Sequence, residues 1–219
     1  MRTRANRAAF PSFPTIDYDD LLATARDQSP TSIAHYLHRR LSSQWRDVYA
    51  AAIARPCNIV RFRSRTFEYL YDLYSELEAT GEIPYDQTVE DRVVAVLGTS
   101  ETADNLRYRN RTPGWIDDAG ELVATSRDKG HFIAHCIGGG PDLNIFSQDR
   151  NLNRGWSPQG KTYRRMEKFC QEHSGTFCFS RPLYADASSV PRWLEFGVLE
   201  NDETLWVEVF DNIDDASVK

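Results

Sequence analysis

The sequence predicts an α+β chain: an antiparallel sheet with an N-terminal helical layer. Three observations carry that expectation. Apolar residues between positions 15 and 80 recur at three- and four-residue spacing, the helical period. The runs Thr176–Tyr184, Arg192–Leu199 and Thr204–Phe210 are rich in aromatic and β-branched residues and closely spaced, as in an antiparallel meander. Between these regions, Asp128–Glu167 gathers two His, three Asn, two Gln and three consecutive Gly beside a run of Arg and Lys. A hydrophobic core has no use for that mixture, so this stretch is read as the active site and the rest as its support.

In chain order, Thr15 heads a short helix over residues 15–28, with acids in its first turn. Ser29-Pro30 restarts a second helix, in which Ile33, Tyr36, Leu37, Leu41, Trp45, Val48 and Ala52 repeat helically up to Pro56. Cys57–Phe62 reads as a strand. Ser64 is expected to cap a third helix, whose Phe67, Leu70, Leu73, Tyr74 and Leu77 recur until Gly81. Residues 1–85 therefore form a mainly helical N-terminal region, accessory or regulatory, and residues 86–219 a second domain that holds the chemistry. Arg92–Gly98 is apolar enough for a buried strand. Residues 107–116 and 121–126 flank the turn signal D-D-A-G and suggest a β-hairpin delivering the chain into Asp128-Lys129-Gly130-His131. Lys161–His173 is an amphipathic helix with Tyr163, Met166, Phe169 and Cys170 on one side. Hairpin, polar loop and helix give a ββα order around the site. The tail after Asp211 is expected to fray.

The bulk properties narrow the partners. A chain of 219 residues buries an ordinary core without staples, and its four Cys suit reduced thiols rather than a disulfide framework. No apolar run approaches the roughly 20 residues of a membrane span, so no membrane partner is expected. The N-terminus is basic but lacks the apolar stretch of a secretory signal. The expected location is the cytoplasm, or delivery by a route that needs no signal peptide. The overall charge of −6 argues against a nucleic-acid partner, but its distribution does not. Residues 121–170 carry 8 basic and 5 acidic groups, while residues 61–120 and 171–219 are net acidic. Phosphate binding depends on that local field.

Hydrolysing a phosphodiester needs a base for water, a cation to neutralise charge on the phosphate, and groups that hold both in place. His131 titrates near neutrality and follows Gly130, whose missing side chain would leave room for a phosphate. Asn144, Asn151 and Asn153 offer neutral oxygens suited to Mg²⁺ whose remaining positions are filled by water. Lys129, Arg150, Arg154, Arg164 and Arg165 are the candidate phosphate contacts. The ordered set D-K-G-H, G-G, N-I-F-S-Q, L-N-R-G and Y-R-R-M-E resembles the DNA/RNA non-specific endonucleases, ββα-metal (His-Me finger) nucleases, over roughly residues 107–170. The resemblance implies a ββα-metal nuclease core and a metal-dependent endonuclease acting on DNA and/or RNA. It makes His131 the general base and Asn153 the protein ligand to Mg²⁺, with Mn²⁺ as a substitute. Glu167 would orient water around the metal, Asn144 would support the site or substrate, and Asp128 would fix the local backbone and the His geometry.

Lys129 stands where the family has Arg or Gly, and Ser147 where it has Pro. Asn153 lies 14 positions before Glu167, farther than in the family, and Pro158 and Gly160 fall between them. Either a loop bulges out there, which the intact L-N-R-G favours, or Gln159 or Asn151 takes over as ligand. The alternative reading is a non-catalytic nucleic-acid or protein-binding module with structural zinc on His131, His135, Cys136, Cys170, His173 and Cys178. A free nuclease endangers its own cell, which suggests a toxin or defence effector, with an inhibitor or regulatory protein as partner.

Overall fold

Asp17, not Thr15, caps the first helix: its carboxylate accepts from the amides of Asp19 at 3.1 Å and Asp20 at 3.0 Å. Helix α1 (Tyr18–Gln28) and helix α2 (Ile33–Ala52) form the expected helical layer. The computed structural model describes residues 16–29, 32–53, 55–86, 88–102, 127–140, 143–201 and 204–212. On α2, Ile33, Leu37, Leu41, Trp45 and Tyr49 are buried at every fourth position, one stripe against the sheet. Burying each leucine of that stripe contributes about 1.5–3 kcal/mol. Among the described residues no helix is long and apolar enough to cross a membrane.

The third helix is a correction. Residues 59–72 instead form strand β1 (Ile59–Ser64) and strand β2 (Phe67–Asp72), paired antiparallel across Arg65, which takes a left-handed φ of 56°. Only Tyr74–Ala79 is helical (α3). All six β2 residues are buried, so the strand shows no polar alternation and its apolar positions matched the helical period by coincidence. Phe67, Tyr69 and Tyr71 face one core, and Leu70 the other.

Strand β3 (Arg92–Thr99) pairs with β2, and β6 (Phe177–Leu183), β7 (Trp193–Glu200) and β8 (Thr204–Asp211) complete an antiparallel sheet ordered β1-β2-β3-β6-β7-β8. Residues 59–72 thus enter the same sheet as residues 92–211, across the 85/86 boundary expected from the sequence. The β2–β3 register slips between Leu70 and Tyr71, and the bulge turns both Val94 and Ala95 toward the helices. Each sheet face holds its own core. Leu70, Leu97, Phe177 and Phe179 pack under α1 and α2, whereas Val96, Cys178, Phe196 and Phe210 pack under the chemistry-bearing stretch.

Two buried polar networks lock the helical layer onto the sheet. Arg181 and Glu195 pair at 2.6 Å with both side chains almost fully buried, and the Tyr18 hydroxyl donates to Glu195 at 2.7 Å. Asp72 accepts from the Tyr49 hydroxyl and the Arg55 guanidinium, both at 2.8 Å. Because their charges are satisfied internally, removing one partner would strand the other in the core.

Candidate active site

The site layer lies on the opposite face of the sheet from α1 and α2. The hairpin expected at residues 107–126 lies outside the described residues. The observed pair is strand β4 (Arg127–His131) with strand β5 (Ile145–Asp149), so D-K-G-H is itself a strand and N-I-F-S-Q its partner. Asp149 then caps helix α4 (Arg150–Arg154), accepting from the Leu152 amide at 2.8 Å. Gly155 ends α4 with a φ of 71°, Ser157 caps the next helix by accepting from Gly160 at 2.9 Å, and α5 (Pro158–Glu172) follows. The residues that lengthen the Asn153–Glu167 spacing are therefore a corner between two packed helices. Gly160 is there because a Cβ would meet the Asn151 carbonyl oxygen at 2.4 Å.

Asp128 is the hub of this layer. Its carboxylate accepts from Arg154 Nε at 2.6 Å and Arg154 Nη2 at 3.0 Å, from Arg150 Nε at 3.1 Å, and from Asn153 Nδ2 at 3.2 Å. Burial alone would raise its pKa, but the bonds from Arg154, Asn153 and Arg150 outweigh it and hold the carboxyl below its ordinary value. Asp128 thereby clamps α4 to β4. The bond to Asn153 also fixes that amide: with Nδ2 turned to Asp128, Oδ1 is the atom left to accept or ligate.

His131 ends β4. Its carbonyl accepts from the Tyr163 hydroxyl of α5 at 3.2 Å, while its imidazole has no hydrogen bond among the described residues. Burial, helped by the nearby His135, lowers its pKa, so the ring is neutral at pH 7 and able to accept a proton. One turn beyond Tyr163, Glu167 is buried with only 6% of its surface exposed, and burial raises its pKa to about 7 against the opposing pull of Arg164. Arg164 Nη1 donates to Glu167 Oε2 at 2.9 Å. The Glu167 carboxylate in turn raises the pKa of Cys136, two residues before the turn at Gly138, adding to the effect of burial. Tyr163 and the 135–137 segment thus link the two ends of the site. Among the described residues no direct bond joins the His131 ring to Asn153 or Glu167.

Asn144 spends its whole side chain on the backbone. Oδ1 accepts from Ile133 N at 2.9 Å, and Nδ2 donates to Ile133 O at 2.7 Å and Gly140 O at 2.8 Å. It pins the loop behind His131 and is itself 1% exposed, a positioning role rather than a reacting one. The cationic candidates divide. Arg150 and Arg154 are bound to Asp128 and Arg164 to Glu167, each still at least a third exposed. Arg165 stacks over the Trp206 ring of β8 at 4.9 Å, and Lys129 is exposed on β4. Gln159 bonds Asp211 through both ends of its amide, which removes it as an alternative ligand. Asn151 is exposed on α4.

Gly130 corrects a further expectation. The position its Cβ would take lies 2.2 Å from Gln148 Oε1, so its missing side chain makes room for Gln148 and not for a phosphate. Gln148 is fully buried, with its amide beside the Tyr163 hydroxyl. The proposed zinc cluster finds no support in the geometry. Among the described residues no three His, Cys, Asp or Glu side chains converge as a metal site. Cys170 and Cys178 lie buried against each other as free thiols, and His173 stacks on Phe169.

Tyr163 and Gln148 are the site residues that sequence reasoning missed. Both stand inside Y-R-R-M-E and N-I-F-S-Q, but the sequence assigned Tyr163 only to the apolar side of its helix and gave neither residue a role.

No family model and no curated protein matches the chain. Solved structures similar to it include the nuclease Sda1 with bound zinc ion, at 9% identity and TM-score 0.37, covering 73% of this chain and 76% of that one. NucA from Streptococcus agalactiae with magnesium bound shares 15% identity at TM-score 0.38, covering 74% and 75%. An extracellular endonuclease shares 12% at TM-score 0.33, covering 74% and 81%. These are distant likenesses, and the chemistry below rests on this chain's own side chains.

Proposed function

We propose that the chain is a metal-dependent endonuclease that hydrolyses phosphodiester bonds of DNA and/or RNA. One observation carries the reading: a single ββα unit holds Asp128 and His131 on β4, Asn153 on α4 bonded back to Asp128, and Glu167 buried on α5. His131, neutral and with no ring hydrogen bond among the described residues, takes a proton from the attacking water. The Tyr163 hydroxyl holds the His131 carbonyl, and Asn144 holds the loop behind it. Asp128 sets the height of α4 above β4 and the direction in which Asn153 Oδ1 points.

The donor set fits a hard divalent ion. A neutral amide oxygen suits Mg²⁺, or Mn²⁺, with water as its other ligands, and no cluster of three His, Cys, Asp or Glu side chains competes among the described residues. Asn153 would hold the ion and Glu167 would orient its water. When bound, the ion supplies positive charge for the phosphate and the leaving oxygen. The exposed parts of Arg154 and Arg164, with Lys129, would offer positive charge to flanking phosphates.

Incubation of plasmid DNA and of RNA with the purified protein and Mg²⁺ or Mn²⁺ tests the reading. Cleavage of either polymer, lost in His131→Ala, is the expected result. No cleavage of either, or an equally fast His131→Ala variant, refutes it. A cytoplasmic or delivered toxin or defence effector, controlled by an inhibitor protein through residues 1–85, is the biological setting we propose. Equal growth of cells expressing wild type and His131→Ala would exclude toxicity.

A further inference from the structure

A second basic feature lies on the helical side of the sheet, away from His131. Between α2 and the edge strand β1 runs a groove of about 600 Å³, whose walls include His35, His38 and Arg39 from α2 and Arg61 and Arg63 from β1. Strand alternation aims the two β1 arginines there. Val60 packs against the core under the site and Phe62 meets Tyr71 edge-on at 6.2 Å, so Arg61 and Arg63 take the other face.

The charge in this groove is unbalanced. Among the described residues Arg39, Arg61 and Arg63 have no ion pair, whereas Arg55, Arg65, Arg154, Arg164 and Arg192 each hold a carboxylate. The chain has more acids than bases, 32 against 26, so the imbalance is not a shortage of partners. The one acid in the lining, Glu68, is 6% exposed and accepts from the Ser42 hydroxyl at 2.8 Å. Guanidinium groups stay charged at any physiological pH, and three of them around one depression create a positive field that an anion would relieve.

We infer that this groove is an exosite for the phosphodiester backbone of a nucleic-acid strand, separate from the catalytic site on the other face. The spacing favours a polymer over a compact anion. Arg61 and Arg63 stand roughly 6–7 Å apart along β1, two residues of an extended chain and comparable to the step between successive phosphates of an extended strand. Arg39 faces them from α2, and among the described residues no further strand lies on the outer edge of β1 to close the groove. A strand held here is retained on the protein while another part of it is cut. The inference rests on the nuclease reading for its ligand.

The test measures binding of a fluorescein-labelled 30-nucleotide DNA strand to the full-length His131→Ala protein, by anisotropy between 50 and 200 mM salt. Adding Arg39→Ala, Arg61→Ala and Arg63→Ala should weaken binding on the order of 10²-fold at 50 mM salt. It should also flatten the slope of log affinity against log salt by about 2, the sum of three contacts at ~0.7 each. The Arg61→Ala/Arg63→Ala pair, with a melting curve unchanged from its parent, should lose about two-thirds of that slope. Unchanged affinity and slope, or no binding by the parent at all, overturns the exosite; binding of an acidic protein at the same arginines would then replace it. The groove variants in the His131 background of the wild type should still hydrolyse a small activated phosphodiester at the wild-type rate. Failure of the wild type itself on that ester counts against the nuclease reading and leaves the strand-binding result standing.

Discussion

Glu167→Gln is the most informative perturbation of the site. Burial raises the Glu167 pKa from an ordinary 4.5 to about 7, and the Arg164 guanidinium that opposes the shift is 57% exposed and therefore weakly felt. The folded-state pKa lies above the unfolded one, so the contribution of this carboxyl to stability is fully present below pH 4.5. It is lost as pH rises through about 7, because the unfolded chain ionises first. A shift of that size corresponds to about 3 kcal/mol across the window. Gln has nearly the same shape and no charge to lose. Urea unfolding of both proteins in EDTA, at half-unit steps from pH 4.5 to 8.5, gives the comparison directly. The variant should gain about 3 kcal/mol relative to wild type between the two ends of the range, with the change centred between 4.5 and 7. Adding Mg²⁺ at pH 8 should narrow the gap, since a nearby cation favours the ionised carboxyl that only the wild type has. A stability difference that does not vary with pH would refute the burial argument. A nuclease activity unchanged by the substitution would remove Glu167 from the water-orienting role.

His131→Ala should lower plasmid cleavage by about 10²–10⁴-fold while the protein still folds, as expected when a general base whose ring has no hydrogen bond among the described residues is removed. Because burial lowers the His131 pKa from 6.5, the acid limb of the pH profile of kcat/KM should fall below pH 6.5, and a limb above it would contradict a neutral, buried base. Asp128→Asn leaves Arg150 and Arg154 without their carboxylate. It should cost about 1–3 kcal/mol in urea unfolding and weaken the Mg²⁺ dependence of cleavage by about 10–100-fold, since Asn153 loses its anchor. Asn144→Ala removes three bonds to the 133–140 backbone and should cost about 2–4 kcal/mol. Gly130→Ala drives a methyl into Gln148 and should reduce both stability and cleavage, whereas Lys129→Ala, one residue away and exposed, should leave stability unchanged.

The parts of the fold that could be read from sequence are those whose physics is local. The β6–β8 meander announced itself through aromatic and β-branched runs, and α5 through its period. Strand β2 did not, because a strand buried on both faces has no polar alternation to betray it. The polar residue types around His131, Asn153 and Glu167 stood out in the sequence as candidates. Their couplings did not. Asp128 reaches Arg150 and Arg154 across 22 and 26 residues, and nothing in the spacing says that those guanidinium groups serve a carboxylate before any phosphate. Gln148 under Gly130 was equally hidden, because a register between β4 and β5 decides it. The helix corner at Gly155–Pro158 was visible as a breaker but not as a right of passage between two packed helices.

The shared sheet constrains how such a protein can be switched. β2 hydrogen-bonds along the length of β3, and Ser64 at the end of β1 sits against Gly140 in the loop that Asn144 pins. Proteolytic removal of the first 85 residues would therefore strip two strands from the sheet and expose its interior, unfolding the chain instead of releasing an intact part of it. For the nuclease proposed above, a cut at residue 85 is therefore no route to activation, and a partner that covers the site and later departs is the form of control that leaves the sheet whole.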